Sequence, residues 1–244
     1  LAQAVTAPGD VILVPDPSYP IHMFGFIIAG AAVRPVAFEN PENFLREAAH
    51  ACRRSIPAPS ALVLNFPSNP TAQVVDLDFY REAVKLAKAN DLVLISDLAY
   101  SEIWFEGDPP PSILQVPGAR DVAVEFTSMS KTYSMPGWRI GFAAGSARLV
   151  DALKRVKSYL DYGAFTPVQV AAIAALDGPQ DNVEKARGIY RVRRDVLVES
   201  FTRAGFPIPA PPATMFAWTP IPERFADLGS VEFSKLLLEK TGVA

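Results

Sequence analysis

The segment Ser128-Met-Ser-Lys131-Thr-Tyr-Ser-Met-Pro-Gly137-Trp-Arg139-Ile-Gly141 places a lysine among small hydroxyls, with an arginine and glycines close behind it. Lysine is the side chain that condenses with an aldehyde to give an imine, provided it is partly desolvated and gives up its proton. Serine hydroxyls and a guanidinium suit a phosphate monoester, because arginine matches phosphate oxygens bidentately. An aldehyde that carries a phosphate describes pyridoxal 5'-phosphate.

Short β-rich runs alternate with helical patterns around this segment, which predicts parallel strands joined by helical crossovers. The candidate strands are 11–14, 32–38, 61–66, 92–97, 122–127 and 140–144. Over 76–90 the apolar Leu77, Tyr80, Val84 and Ala87 recur at helical spacing behind a capping Asp76. A second amphipathic helix is predicted over 147–160, and a long charged helix over 181–204. The proline-rich Phe206-Pro-Ile-Pro-Ala-Pro-Pro212 then punctuates the chain, since proline donates to neither helix nor ladder. A strand over 214–219 and a helix over 231–240 complete the pattern. The expected fold class is α/β, a mostly parallel sheet sandwiched by helices and followed by part of a smaller α/β domain. The expected boundary lies near Gly178-Pro179. Residues 1–178 would form a cofactor-binding large domain whose N-terminal part precedes this chain. Residues 179–244 would form a connecting helix and a partial small domain.

In open parallel sheets, ligands bind in the crevice outside the carboxyl ends of the strands. Asn69 follows the strand 61–66, Asp97 closes 92–97, and Ser128 to Lys131 follow 122–127. One rim would therefore hold an amide, a carboxylate and the lysine. Asp97 ends the apolar run Leu92-Val-Leu-Ile-Ser-Asp97, where an unpaired carboxylate is costly. A protonated pyridine nitrogen is a suitable partner, each pKa unit of preference corresponding to ~1.4 kcal/mol. An N-cap or a structural ion pair would satisfy an isolated strand-end aspartate equally well. Asn69, in Asn65-Phe-Pro-Ser-Asn-Pro-Thr71, reads as a turn asparagine that bonds its own backbone or a ligand. Tyr19, in Pro15-Asp-Pro-Ser-Tyr-Pro-Ile-His22, reads as a plate stacked on a cofactor ring or as a packed loop aromatic.

Pro17-Ser-Tyr-Pro20, Asn69-Pro-Thr71, Asp97-Leu-Ala-Tyr100 and Ser128-Met-Ser-Lys131…Gly137-Trp-Arg139-Ile-Gly141 occur in that order. Taken together they resemble the pyridoxal-phosphate-dependent class I/II aminotransferases of the aspartate aminotransferase fold, over essentially the whole chain. The resemblance implies that Lys131 carries the cofactor as an imine and later shuttles a proton, while Asp97 holds the pyridine nitrogen. It implies that Tyr100 and Asn69 donate to the phenolate oxygen, that Ser128 and Arg139 bind the phosphate, and that Tyr19 stacks on the ring. A homodimer with shared active sites is implied as well. Two departures stand out. The family commonly has Asn-Pro-Thr-Gly, whereas Ala72 replaces that glycine; an alanine at positive φ would cost on the order of 1 kcal/mol, so an ordinary φ is expected. The phosphate-binding turn upstream and the C-terminal arginine that clamps the substrate carboxylate fall outside this chain. Arg187, Arg191, Arg193 and Arg194 lie on a long helix and do not match that arginine's context.

The Asp16-to-His22 and Asp97-to-Trp104 segments resemble the alanine-type branch, which implies alanine with 2-oxoglutarate, pyruvate being the oxo acid formed from alanine; that branch also includes enzymes of diamino acids, and C–S lyases share the fold. A serine acyl-transfer enzyme is the rival from another class, since Ser128-Met-Ser-Lys131 is an S-x-x-K and Lys240-Thr-Gly242 a K-T-G. The Ser-Asp-Asn between them is missing. A formal charge of -3 over 244 residues gives no electrostatic reason to expect nucleic acid or an anionic membrane. The single cysteine, Cys52, excludes an internal disulfide and fits a reducing, cytoplasmic compartment. His22 and His50 with that cysteine make no metal-ligand spacing. The apolar run from Met23 to Val33 falls short of the ~20 residues a membrane-spanning helix needs.

Overall fold

A computed structural model describes residues 1–242 of the chain. Its strands are β1 (Val11–Asp16), β2 (Ala32–Ala37), β3 (Pro59–Asn65), β4 (Val93–Asp97), β5 (Ala123–Ser128) and β6 (Gly141–Gly145). They form one sheet in the order β2-β1-β3-β4-β5-β6. β1 to β5 run parallel, and β6 returns antiparallel to β5. All six strands read from the sequence are present, each shifted by two residues at most.

Helices α1 (Ala2–Val5), α2 (Pro20–Ile28), α3 (Pro41–Arg54) and α4 (Leu77–Asn90) precede β4. The short α5 (Ala119–Val122) and α6 (Met129–Thr132) flank β5. After β6 come α7 (Ala147–Leu160), α8 (Thr166–Asp177), α9 (Asp181–Arg203) and α10 (Gly229–Thr241). The backbone amide of Phe79 donates to Asp76 at 2.8 Å, so the cap expected for α4 is in place. α2, α3 and α8 were not expected. α3 nevertheless carries a legible signal, since Asn40 caps it, Pro41 opens it, and Phe44, Ala48 and Ala51 form its buried face.

The central strands alternate between two apolar layers, as a period of two requires. Leu62 and Leu64 face a cluster with Phe44, Phe79, Tyr80 and Leu94, beneath α3 and α4. Ala61 and Val63 face the opposite cluster with Ile12, Val14, Val124 and Leu149. Strands buried on both faces read as unbroken apolar runs, which is why the sequence marks them so clearly.

The strand expected over 214–219 does not form. Thr214 has φ of 69°, which turns the chain out of the extended region. Only a single bridge, Trp104 to Ala213, is made there, flanked by Phe105 N donating to Pro212 O and Thr214 N to Ile103 O. The prolines at 211 and 212 lack the amide donors that would extend it. No helix among the described residues is long and apolar enough to cross a membrane.

Candidate active site

Parallel pairing sets the carboxyl ends of β1, β3, β4 and β5 on one rim. Asn65 is level with Asp97, and Asp97 with Phe126, two residues short of Ser128. Because β6 is antiparallel, it starts at the same rim, with Gly141 opposite Ser128 and Met129 N donating to Ile140 O at 3.2 Å. Arg139 stands two residues before the position opposite Ser128. A Cβ at Gly141 would collide with the carbonyl oxygen of Thr127, so this close return needs glycine.

One half of the rim is tightly connected. Pro20 opens α2 directly after Tyr19, and the first turn brings His22 back over the strand ends. His22 Nε2 lies 2.8 Å from Asp97 Oδ2, and His22 Nδ1 lies 2.7 Å from the Ser18 hydroxyl. An ionised carboxylate only accepts, so Nε2–H donates to Asp97, and in the neutral ring Nδ1 accepts from Ser18. The backbone amide of Ala99 donates to the other Asp97 oxygen at 3.1 Å. Tyr19, half-exposed, meets the His22 ring edge-on with centroids 6.0 Å apart.

Tyr100 stands beyond Asp97, and the Asn69 side-chain amide donates to its hydroxyl at 3.5 Å. Burial first, and then the negative charge of Asp97, push the Tyr100 phenol up to about 12. The hydroxyl therefore stays protonated and remains a donor at physiological pH. The turn bearing Asn69 is closed by Ser68 N donating to Gln73 O and Ala72 N to Ser68 O, while the Asn65 amide holds the Asn69 carbonyl. Ala72 has φ of 59°, contrary to the ordinary φ expected from its side chain. The left-handed conformation costs on the order of 1 kcal/mol. It is imposed by that hydrogen-bonded turn, in which Ala72 is buried.

The other half holds Ser128, Lys131 and Arg139. Ser128 caps α6, its hydroxyl accepting from Ser130 N at 3.2 Å. Lys131, on that turn, is half-buried and has no ion pair or hydrogen bond among the described residues. Arg139, exposed at φ 52°, spends one guanidinium nitrogen on Pro136 O at 3.1 Å. No hydrogen bond joins Arg139 to Ser128, or either of them to the Asp97 half, among the described residues.

Sequence reasoning missed Ser18 and His22. The available signal was a proline-led helix start, which puts His22 on the first turn after a strand end. The rival S-x-x-K and K-T-G elements gain nothing from the fold, because Lys240 and Thr241 end α10 rather than line a strand. A cleft of about 1750 Å³ lies between α3, α4 and the loop after Trp104 and includes none of the candidate residues.

The family model described as aminotransferase class I and II matches residues 1–244. The chain is 53% identical over 235 residues to the glutamate-pyruvate aminotransferase AlaC of Escherichia coli (strain K12), covering 96% of this chain and 57% of that protein. It is 42% identical over 236 residues to the LL-diaminopimelate aminotransferase of Moorella thermoacetica (strain ATCC 39073 / JCM 9320), covering 97% of this chain and 60% of that protein. Among solved structures, substrate-bound BacF from Bacillus subtilis superposes with a TM-score of 0.87 at 32% identity, over 98% of this chain and 60% of that one. The chain thus spans less than two thirds of the length of the relatives it matches.

Proposed function

We propose that this chain, which belongs to the class I and II aminotransferase family, carries the catalytic core of an enzyme that transfers an amino group between a small 2-amino acid and a 2-oxo acid. Alanine with 2-oxoglutarate is the favoured pair, with pyruvate the oxo acid formed from alanine. The observation that carries the reading is the rim itself: a fixed carboxylate, a protonated phenol beside an amide, and a free lysine on adjacent strand ends. The sequence similarity to a glutamate-pyruvate aminotransferase supports the substrate pair.

The donor set fits pyridoxal 5'-phosphate. Asp97, fixed by His22 and Ala99 N, would accept from the ring nitrogen. Tyr100, kept protonated, would donate to the phenolate oxygen with Asn69 beside it. Ser128 and Arg139 would bind the phosphate, and the half-exposed Tyr19 ring would cover one face. When bound, the group supplies an aldehyde for amine capture and an electron sink for charge at the substrate's α-carbon. Lys131, without a hydrogen-bond or ion-pair partner among the described residues, would hold the aldehyde and would move the proton at that carbon. The division near Gly178-Pro179, a homodimer and a cytoplasmic location belong to the same proposal. The lone cysteine supports the last of these.

A diamino-acid aminotransferase is the second reading, favoured by the similarity to an LL-diaminopimelate aminotransferase. A half-reaction on the natural protein separates the two. Alanine alone should bleach the visible band and release pyruvate, and 2-oxoglutarate should restore the band. Bleaching by LL-diaminopimelate but not by alanine overturns the substrate pair. A band that persists, borohydride-reducible, in Lys131→Ala overturns the role of the lysine.

A further inference from the structure

Helix α9 grips the loop that follows β4 at two points. Arg187 Nε donates to the backbone carbonyl of Glu102 at 2.9 Å, and a terminal nitrogen donates to the Glu102 carboxylate at 2.6 Å. Its guanidinium carbon lies 4.6 Å from the Trp104 ring centre. Two helical turns later on the same face, Arg194 bonds the Glu106 carboxylate at 2.8 Å and lies 5.0 Å from the Phe105 ring. The two side chains are only 17% and 11% exposed, unusual for arginines on a helix that is otherwise largely solvent-facing.

Glu102 is two residues from Tyr100. The loop between them is tethered on the sheet side by Leu98 N donating to Phe126 O at 2.8 Å, and closed by Ile103 N donating to Tyr100 O at 3.1 Å. On the far side Thr214 N donates to Ile103 O at 2.7 Å, and among the described residues the one guanidinium that anchors this loop's backbone is Arg187, on the Glu102 carbonyl. A bond to a carbonyl fixes the main chain itself, which an ion pair between two flexible side chains does not. The Tyr100 hydroxyl sits 3.5 Å from the Asn69 amide, at the outer edge of hydrogen bonding, so a small movement of this loop alters what the hydroxyl can reach.

We propose that Arg187 is a positioning residue for Tyr100, holding the loop after β4 from α9 so that the Tyr100 hydroxyl donates to the bound cofactor's phenolate oxygen. This rests on the role given to Tyr100 above. Donation to a phenolate stabilises the anion and lowers the pH at which the chromophore loses its shared proton, so a weakened donor raises that pH. The test is a pH titration of the visible absorption of the natural protein loaded with pyridoxal 5'-phosphate. Arg187→Met should raise the midpoint by about half to one unit, in the direction of Tyr100→Phe. Arg187→Lys should raise it less, because an ammonium still donates to one acceptor. Glu102→Gln should leave it near wild type, because the carbonyl anchor stays. A second readout needs no cofactor: amide exchange at Ser101 and Ile103 should quicken in the Arg187→Met apoprotein. If Arg187→Met does not fold, Arg187→Lys decides by the same two measurements. A wild-type midpoint or unchanged exchange in the arginine variants, with Tyr100→Phe shifted, overturns the proposal and leaves the role of Tyr100 standing. An unshifted Tyr100→Phe overturns both.

Discussion

Nε2 of His22 lies 2.8 Å from the carboxylate of Asp97, across 75 positions of sequence. The histidine is 7% exposed and is held from behind by Ser18, so the Asp97 carboxylate is aimed by a rigid pair rather than by solvent. A hydrogen bond to a charged group contributes about 1.5–3 kcal/mol. His22→Phe fills the same space and removes both bonds, and should lower stability by about that amount. His22→Asn, which can still donate to Asp97, should lose less. Urea unfolding of the two variants checks this; equal stabilities would show that the bond to Asp97 contributes nothing.

Asp97→Asn separates fold from chemistry. The amide oxygen can still accept from Ala99 N, and the NH2 can donate to His22 Nε2 once that ring takes its other tautomer, so the variant should fold and bind pyridoxal 5'-phosphate. An amide cannot hold a pyridinium, and loss of one preorganised electrostatic partner typically costs ~2.7–4 kcal/mol, or about 100- to 1,000-fold in rate. Stopped-flow measurement of α-proton removal is the readout. A rate within a few-fold of wild type would exclude the electron-sink role.

The sheet was legible because its strands are buried on both faces, so Leu62 to Leu64 and Leu94 to Ile95 stand out as apolar runs between turns. Their order then put Asn69, Asp97 and Ser128 on one rim without any coordinates. α2 escaped because Ile21, Phe24, Ile27 and Ile28 on its outer side are exposed while Phe26 is buried, which erases the amphipathic pattern. His22 escaped with it, since a contact made across 75 positions leaves no local spacing to read. Ala72 misled because side-chain type states a preference, and a hydrogen-bonded turn overrode it. Residues 214–219 misled for the same reason at Thr214.

Glu125 presents a buried carboxylate with no cationic partner among the described residues. It is 6% exposed and accepts from the Ser96 hydroxyl at 3.0 Å, the Ser112 hydroxyl, and Ile113 N at 3.0 Å. These bonds tie the turn after residue 111 to β4 and β5. Glu125→Ala would strand three donors, each costing about 1–3 kcal/mol when left unsatisfied, so a loss of at least roughly 3 kcal/mol is expected. Glu125→Gln keeps one accepting oxygen and should fall between the alanine variant and wild type. Denaturant midpoints give the comparison, and an alanine variant as stable as the parent would remove Glu125 from the account of the fold.

Tyr80 is fully buried on α4, and its hydroxyl makes no hydrogen bond of ordinary geometry among the described residues, although the Ser96 side chain beside it partly offsets the rise in its pKa. Burial, then the charge of Glu125, pushes its phenol well above the ordinary value, as burial and Asp97 push Tyr100 to about 12. The sign follows from linkage. Both phenols are harder to ionise folded than unfolded, so their contribution is intact below the unfolded pKa of ~10 and is lost as pH rises toward the folded values. Tyr100 contributes to that decline between about pH 10 and 12, with a further loss from Tyr80. Tyr80→Phe should flatten part of that alkaline decline. At neutral pH the same variant should be more stable by about 1 kcal/mol or more, because it removes an unsatisfied buried hydroxyl and keeps the ring that packs against Phe79. Unfolding free energies at pH 7 and pH 11 are the measurement. A Tyr80→Phe protein that is weaker at pH 7 and declines as steeply as wild type would mean that the hydroxyl is satisfied in solution and does not titrate with unfolding.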